Sequence, residues 1–283
     1  MFIRKSNGTL LPLHLILIGA LISAISLRAH DFWLTPSNYT PNVGELVEIF
    51  AMIGHGNEAE AFERNHDHIK RLIVQDAQGI RTTQGVNFRL PTGSFKVRTK
   101  GTQIVGYESH EQTSVLPENR FDKYLKEEGL ESILIGRKAE EEDSRKEVKE
   151  GYTRCAKSVL FTQGEKFSDQ WLGLPLEIKL LSNPLELSGH QSMILQVHYD
   201  GSPLEGALVK GYCLANEDST QALRTDGNGF STFQCSSSGR WMFNVVHMLP
   251  SSGDTSLDWH SYWASLTIEI PSRSVINNRV AQR

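Results

Sequence analysis

Val47-Glu48-Ile49-Phe50-Ala51-Met52-Ile53-Gly54-His55-Gly56 decides the fold class of this chain. Val47, Ile49, Ala51 and Ile53 alternate with Glu48, Phe50 and Met52, a period of two that predicts a half-buried strand. Pro41 and Gly44 punctuate its start, and Gly54-His55-Gly56 ends it. Glycine on both sides lets the backbone turn sharply and leaves the imidazole of His55 uncrowded.

Downstream the signature recurs. Leu72 and Val74 open another strand, closed by the turn Asp76-Ala77-Gln78-Gly79, and Phe88 to Leu90 and Gly101 to Tyr107 read as two more. Residues 30–112 are therefore expected as an N-terminal β domain. The middle, residues 113–170, reads as a helical connecting segment. Pro117 suits a first helical turn, Phe121, Tyr124 and Leu125 follow at helical spacing, and Gly129-Leu130 reads as a helix end. Val148, Tyr152, Cys155 and Val159 fall at i, i+4, i+7 and i+11 and predict a second helix, with the charge-dense run 137–150 on its solvated side. From about Leu174 the strands return. Leu195, Val197 and Tyr199 lead to the turn Asp200-Gly201, then Ala207 to Cys213, and Thr225 to Gly229 turns the chain before Phe230 to Cys235. Trp241, Phe243, Val245 and His247 share a face of the next strand, as do Tyr262, Ala264, Leu266, Ile268 and Ile270 in the last. Residues 171–272 fit a C-terminal immunoglobulin-like β-sandwich, and 273–283 a polar, disordered tail. The expected fold is mainly β: one or more immunoglobulin-like β-sandwich domains with a helical insertion in the middle.

Upstream, Arg4 and Lys5 precede the mostly apolar run Leu10 to Leu27, and Ala29 is small. Residues 1–29 read as a secretory signal peptide cut after Ala29, although Leu27 at −3 departs from the small-residue pattern. The protein is then periplasmic or extracellular. The alternative is an uncleaved anchor, since about 18 apolar residues can span a bilayer. After the cut, 26 basic residues face 33 acidic ones, a balance that argues against a nucleic-acid partner bound through phosphates. Cys213 and Cys235 lie in neighbouring predicted strands, so a disulfide between them and three buried thiols (with Cys155) are both open.

The cut would make His30 the first mature residue. Its α-amine (reference pKa about 7.7–8.0) and imidazole (about 6.5) can then chelate one transition-metal ion with little proton cost at neutral pH. His55 at its strand end and His247 at the end of an apolar strand are the next candidate ligands. His66 and His68 form an alternative cluster; Asp31, Asp258 and His260 are outer partners or alternative ligands. No Gly-x-Ser-x-Gly, phosphate-cradling loop or His-Glu-x-x-His is present, so the reading is non-enzymatic.

Several stretches resemble one bacterial family, catalogued as domain-of-unknown-function family 4198. They are Ala29-His30-Asp31-Phe32-Trp33, Gly54-His55, Phe121 to Leu130, Tyr152-Thr153-Arg154-Cys155-Ala156-Lys157 (similar to a Tyr-x-Arg-x-x-Lys helix), Arg224 to Gly229, Val246-His247-Met248 and Asp258 to Leu266. His260 departs from the acidic residue expected between Trp and Ser. The resemblance implies an exported β-sandwich protein associated with nickel or cobalt uptake, and it strengthens His247 as a ligand. The resulting expectation is a periplasmic protein that holds nickel, cobalt, copper or zinc through His30, His55 and His247 and hands it to a membrane metal transporter. The alternatives are a copper-dependent oxidative enzyme with a histidine brace, which an N-terminal His on a β-sandwich resembles, and a non-catalytic adhesion module.

Overall fold

The computed structural model of the protein describes residues 31–55, 58–139, 147–164, 166–187, 191–235, 237–253 and 256–272. His30, the leader, His190 and the tail from residue 273 lie outside the described residues. In chain order the elements are β1 (Asp31–Pro36), β2 (Leu46–Gly54), β3 (Glu60–Phe62), β4 (Ile69–Asp76), β5 (Gly79–Thr82), β6 (Gly93–Lys96), β7 (Gly101–Ser109) and β8 (Gln112–Pro117). Two helices follow, α1 (Glu118–Glu127) and α2 (Glu131–Ala139), then β9 (Glu147–Thr162), β10 (Leu176–Leu180), β11 (Gln191–Tyr199) and β12 (Ser202–Pro203). The chain closes with β13 (Leu208–Cys213), β14 (Asn216–Arg224), β15 (Phe230–Cys235), β16 (Gly239–Pro250) and β17 (Trp259–Ile270).

One large sheet runs β14-β13-β16-β17-β9-β7-β4-β5, with β8 paired to the first half of β9. Two four-stranded sheets accompany it: β1-β2-β3 with β6 on β2, and β10-β11-β12 with β15 on β11. Alternate residues of the central strands serve different cores. Leu72, Val74, Val105, Tyr107, Ala156 and Leu160 pack with Leu34, Val47, Ile49 and Phe95 of the first small sheet. Their neighbours Ile73, Ile104, Cys155 and Val159 pack with Leu176, Ile178, Leu195, Val197 and Phe233 of the second. Because side chains alternate along a strand, the two small sheets cover opposite faces of the large one. The helices share the face of the first small sheet: Phe121, Tyr124 and Leu125 pack on Val148, Val246 and Met248. The fold is mainly β and built of stacked sheets, as expected.

Two local expectations are corrected. Residues 147–162, expected as the second helix, form the longest strand, β9, antiparallel to β7 and parallel to β17. Both faces of β9 are covered, so its apolar residues do not alternate with polar ones, and the spacing of Val148, Tyr152, Cys155 and Val159 mimics a helix. Phe88 to Leu90, expected as a strand, is a turn in which Phe88 takes a left-handed φ of 58°. The first helix is where its spacing placed it. Gly129 (φ 71°) ends it, and Leu130 N–H donates to Leu125 C=O at 2.8 Å. Cys155, Cys213 and Cys235 are buried free thiols.

Candidate metal centre

β1 and β2 pair antiparallel from Pro36↔Ile49 to Asp31↔Gly54. At that end Gly54 takes φ 136°, and a Cβ there would sit 2.7 Å from the Cα of Ala59, so only glycine lets the chain double back so tightly. His55 follows, and its C=O accepts from Glu58 N–H at 2.9 Å. Its Nδ1 lies 3.7 Å from Oδ2 of Asp31.

Asp31 is the hub. Its Oδ2 accepts from the Tyr212 hydroxyl of β13 at 2.8 Å, and its Oδ1 accepts from Asn244 Nδ2 of β16 at 2.7 Å. The two bonds fix the carboxylate and tether edge strand β1 to the central sheet. At 3.7 Å the fixed carboxylate faces the imidazole as a charge neighbour rather than a hydrogen-bond partner. Close by, Glu128 at the end of α1 pairs with Lys210 of β13 at 2.7 Å. Burial lifts the Glu128 carboxyl above its ordinary range, Lys210 opposes this, and the charge of Asp31 adds to it.

His247 is not part of this constellation. Along β16 the register is regular, and Asn244 and His247 differ by an odd number of residues, so their side chains leave opposite faces. Asn244 meets Asp31. His247 sits under the second small sheet, its ring 4.5 Å from that of Tyr199, and burial pushes its pKa down. His260 is on the same face as His247, stacked on Tyr262 at 5.0 Å with Nε2 3.1 Å from a Glu111 oxygen. Asp258 is a structural hook: its carboxylate accepts from Lys149 N–H at 2.8 Å, tying the start of β17 to β9. His66 is exposed, between Asp67 (3.0 Å) and Asn87, while His68 stacks on Phe62 at 5.9 Å. Among the described residues no group of three His, Cys, Asp or Glu could hold a metal ion. The structure therefore brings together Asp31 and His55, and separates them from His247.

Tyr212 and Asn244 were missed by sequence reasoning. The available signal was Asn244 itself, an amide in the middle of the otherwise apolar run Trp241 to Val246. Lys157, in the Tyr-x-Arg-x-x-Lys stretch, lies on the other face of β9 from Arg154. It is buried against Asp169 (2.8 Å) and Glu177 (3.0 Å).

Fold and site together define a class: a stacked-sheet, mainly β protein with an Asp–His pair at one end of an edge-strand pairing. The chain belongs to the family described as domain of unknown function DUF4198, whose profile matches residues 27–249. No curated protein matches the chain.

Proposed function

We propose that the protein is an exported carrier of a divalent transition-metal ion, with His30 and His55 as ligands and Asp31 as the carboxylate that orients the site. The observation that carries this is the β1–β2 register. Asp31 pairs with Gly54, and in sequence His30 immediately precedes Asp31 while His55 immediately follows Gly54. Asp31 and His55 alone are too few ligands for tight capture. A His30 freed by cleavage would add an amine and an imidazole, giving a nitrogen-rich set suited to nickel, cobalt, copper or zinc. The reading is of a binder that passes its cargo to a membrane transporter.

The test is intact mass under native conditions on protein exported with its own leader, followed by metal titration. The reading expects a chain beginning at His30 carrying one metal ion, and a loss of at least about 100-fold in affinity for His55→Ala. A mature chain that starts past His30, or His55→Ala with unchanged affinity, would sink it.

A further inference from the structure

Arg154 of β9 is a half-buried cation that makes no salt bridge among the described residues. Its guanidinium carbon lies 5.0 Å from the centre of the Phe32 ring and 5.6 Å from that of Tyr152. Among the described residues no carboxylate comes within ion-pair distance of it. The nearest carboxylate to act on it electrostatically, Asp31, accepts hydrogen bonds from Tyr212 and Asn244 instead. Aromatic rings stabilise a guanidinium through its charge and flat face, while its N–H donors lie in the guanidinium plane. Burial pushes the Arg154 pKa down, and the phenols of Tyr152 and Tyr107 are close enough to act on it electrostatically. Phe32 and Tyr107 pack with ring centres 4.8 Å apart, which holds the Phe32 ring in place. Burial lifts the Tyr107 phenol to about 12, which keeps it a protonated donor at neutral pH.

We propose that Arg154, with the phenols of Tyr107 and Tyr152, forms an oxyanion site that takes a carboxylate group of a small organic acid. A cation partly stripped of water, with no described carboxylate paired to its N–H edge, is completed by a ligand anion, and a guanidinium edge matches a carboxylate in a two-pronged fit. Phe32 follows Asp31 in β1, so the site adjoins the candidate metal centre. The acid has two sources: the free acid, or the same acid arriving as a ligand on the metal. The second rests on the carrier reading above.

Calorimetric titration of the mature full-length chain with citrate, first metal-free and then with nickel(II) present, tests this. Citrate binding without metal that weakens about tenfold or more in Arg154→Gln supports the free acid. Binding that needs nickel, with the same loss in Arg154→Gln, supports the chelate. Tyr152→Phe should lose several-fold in either arm, and it covers the case in which Arg154→Gln fails to fold. No citrate binding by the wild type in either arm, or equal binding by the folded variants, would overturn the proposal. Failure of bare nickel to bind, with citrate binding intact, would sink the carrier reading and leave the anion site standing.

Discussion

Lys157 shows what a single residue holds in place. Its ammonium is 1% exposed, lies between Asp169 and Glu177, and also donates to the Gln170 carbonyl at 2.9 Å. Glu177 accepts in addition from Leu172 and Leu174 N–H, and Asp169 from Leu180 N–H. The trio pins the segment leading to β10 onto β9. Burial already raises the Asp169 carboxyl against the pull of Lys157. Lys157→Met would strand two buried carboxylates and should destabilise the fold by about 3–5 kcal/mol, read by chemical denaturation. A loss under about 1 kcal/mol would mean that water reaches the trio. Glu150 is the opposite case, a buried carboxyl surrounded by hydroxyls. Tyr124 and Ser114 donate to it at 3.0 and 3.1 Å, and Ser261 also donates. Burial raises its pKa above the ordinary 4.5, with the hydroxyls opposing. Its proton is therefore held more tightly in the folded state. Its stabilising contribution is full below 4.5 and is lost as pH rises through the raised value. Glu150→Gln should remove that slope, gaining on the wild type as pH rises from about 4 to about 8. A constant difference across the range would show that Glu150 ionises as freely folded as unfolded. Asp31→Asn keeps the shape of the hub but removes its charge. On the carrier reading it should weaken metal binding about 10–100-fold while leaving the thermal midpoint nearly unchanged.

At the scale of elements, glycine governs two junctions. Gly54→Ala would combine a φ of 136° with a 2.7 Å approach to the Ala59 backbone. It should destabilise by about 2–3 kcal/mol, or, on the carrier reading, displace His55 enough to abolish metal binding. Gly129→Ala would set a methyl 2.4 Å from Leu208 Cβ at φ 71° and should loosen α1 from the sheet. Faster amide exchange in residues 118–130 would report it. The same elements show what could be read in the chain. β2, β11, β13, β15, β16 and β17 were legible because turn residues bound them and, in most, alternation marks one face. α1 was legible because Phe121, Tyr124 and Leu125 share one face and Gly129 ends it. β9 was not, because a strand with two buried faces has no polar period to reveal it. At the site, the glycine-flanked His55 at its strand end was visible in sequence, whereas the pairing of Asp31 with Gly54 was not, because register is set by tertiary packing. The separation of His247 was not, because which face of β16 meets which small sheet is set by the order of strands.

For the whole molecule, β9 is the joint. It pairs with β7 and β8 from the first half of the chain and with β17 from its end, in one sheet. The cores on its two faces draw on both halves, so unfolding should be one cooperative transition, with calorimetric and van't Hoff enthalpies equal. Two resolved transitions would show that the halves are separable. A fragment spanning 171–272 should fail to fold by itself, since it would expose the β17 edge that β9 covers.

The strand order has a consequence for the time at which the protein comes into being. β17, the last strand among the described residues, takes a place in the middle of the large sheet, between β16 and β9. Until residues 259–270 leave the ribosome, the earlier strands cannot close on one another and β9 keeps an open hydrogen-bonding edge. A nascent chain of this design leaves that edge open until β17 is made. Until then it is exposed to strand-pairing errors that a holding chaperone would prevent.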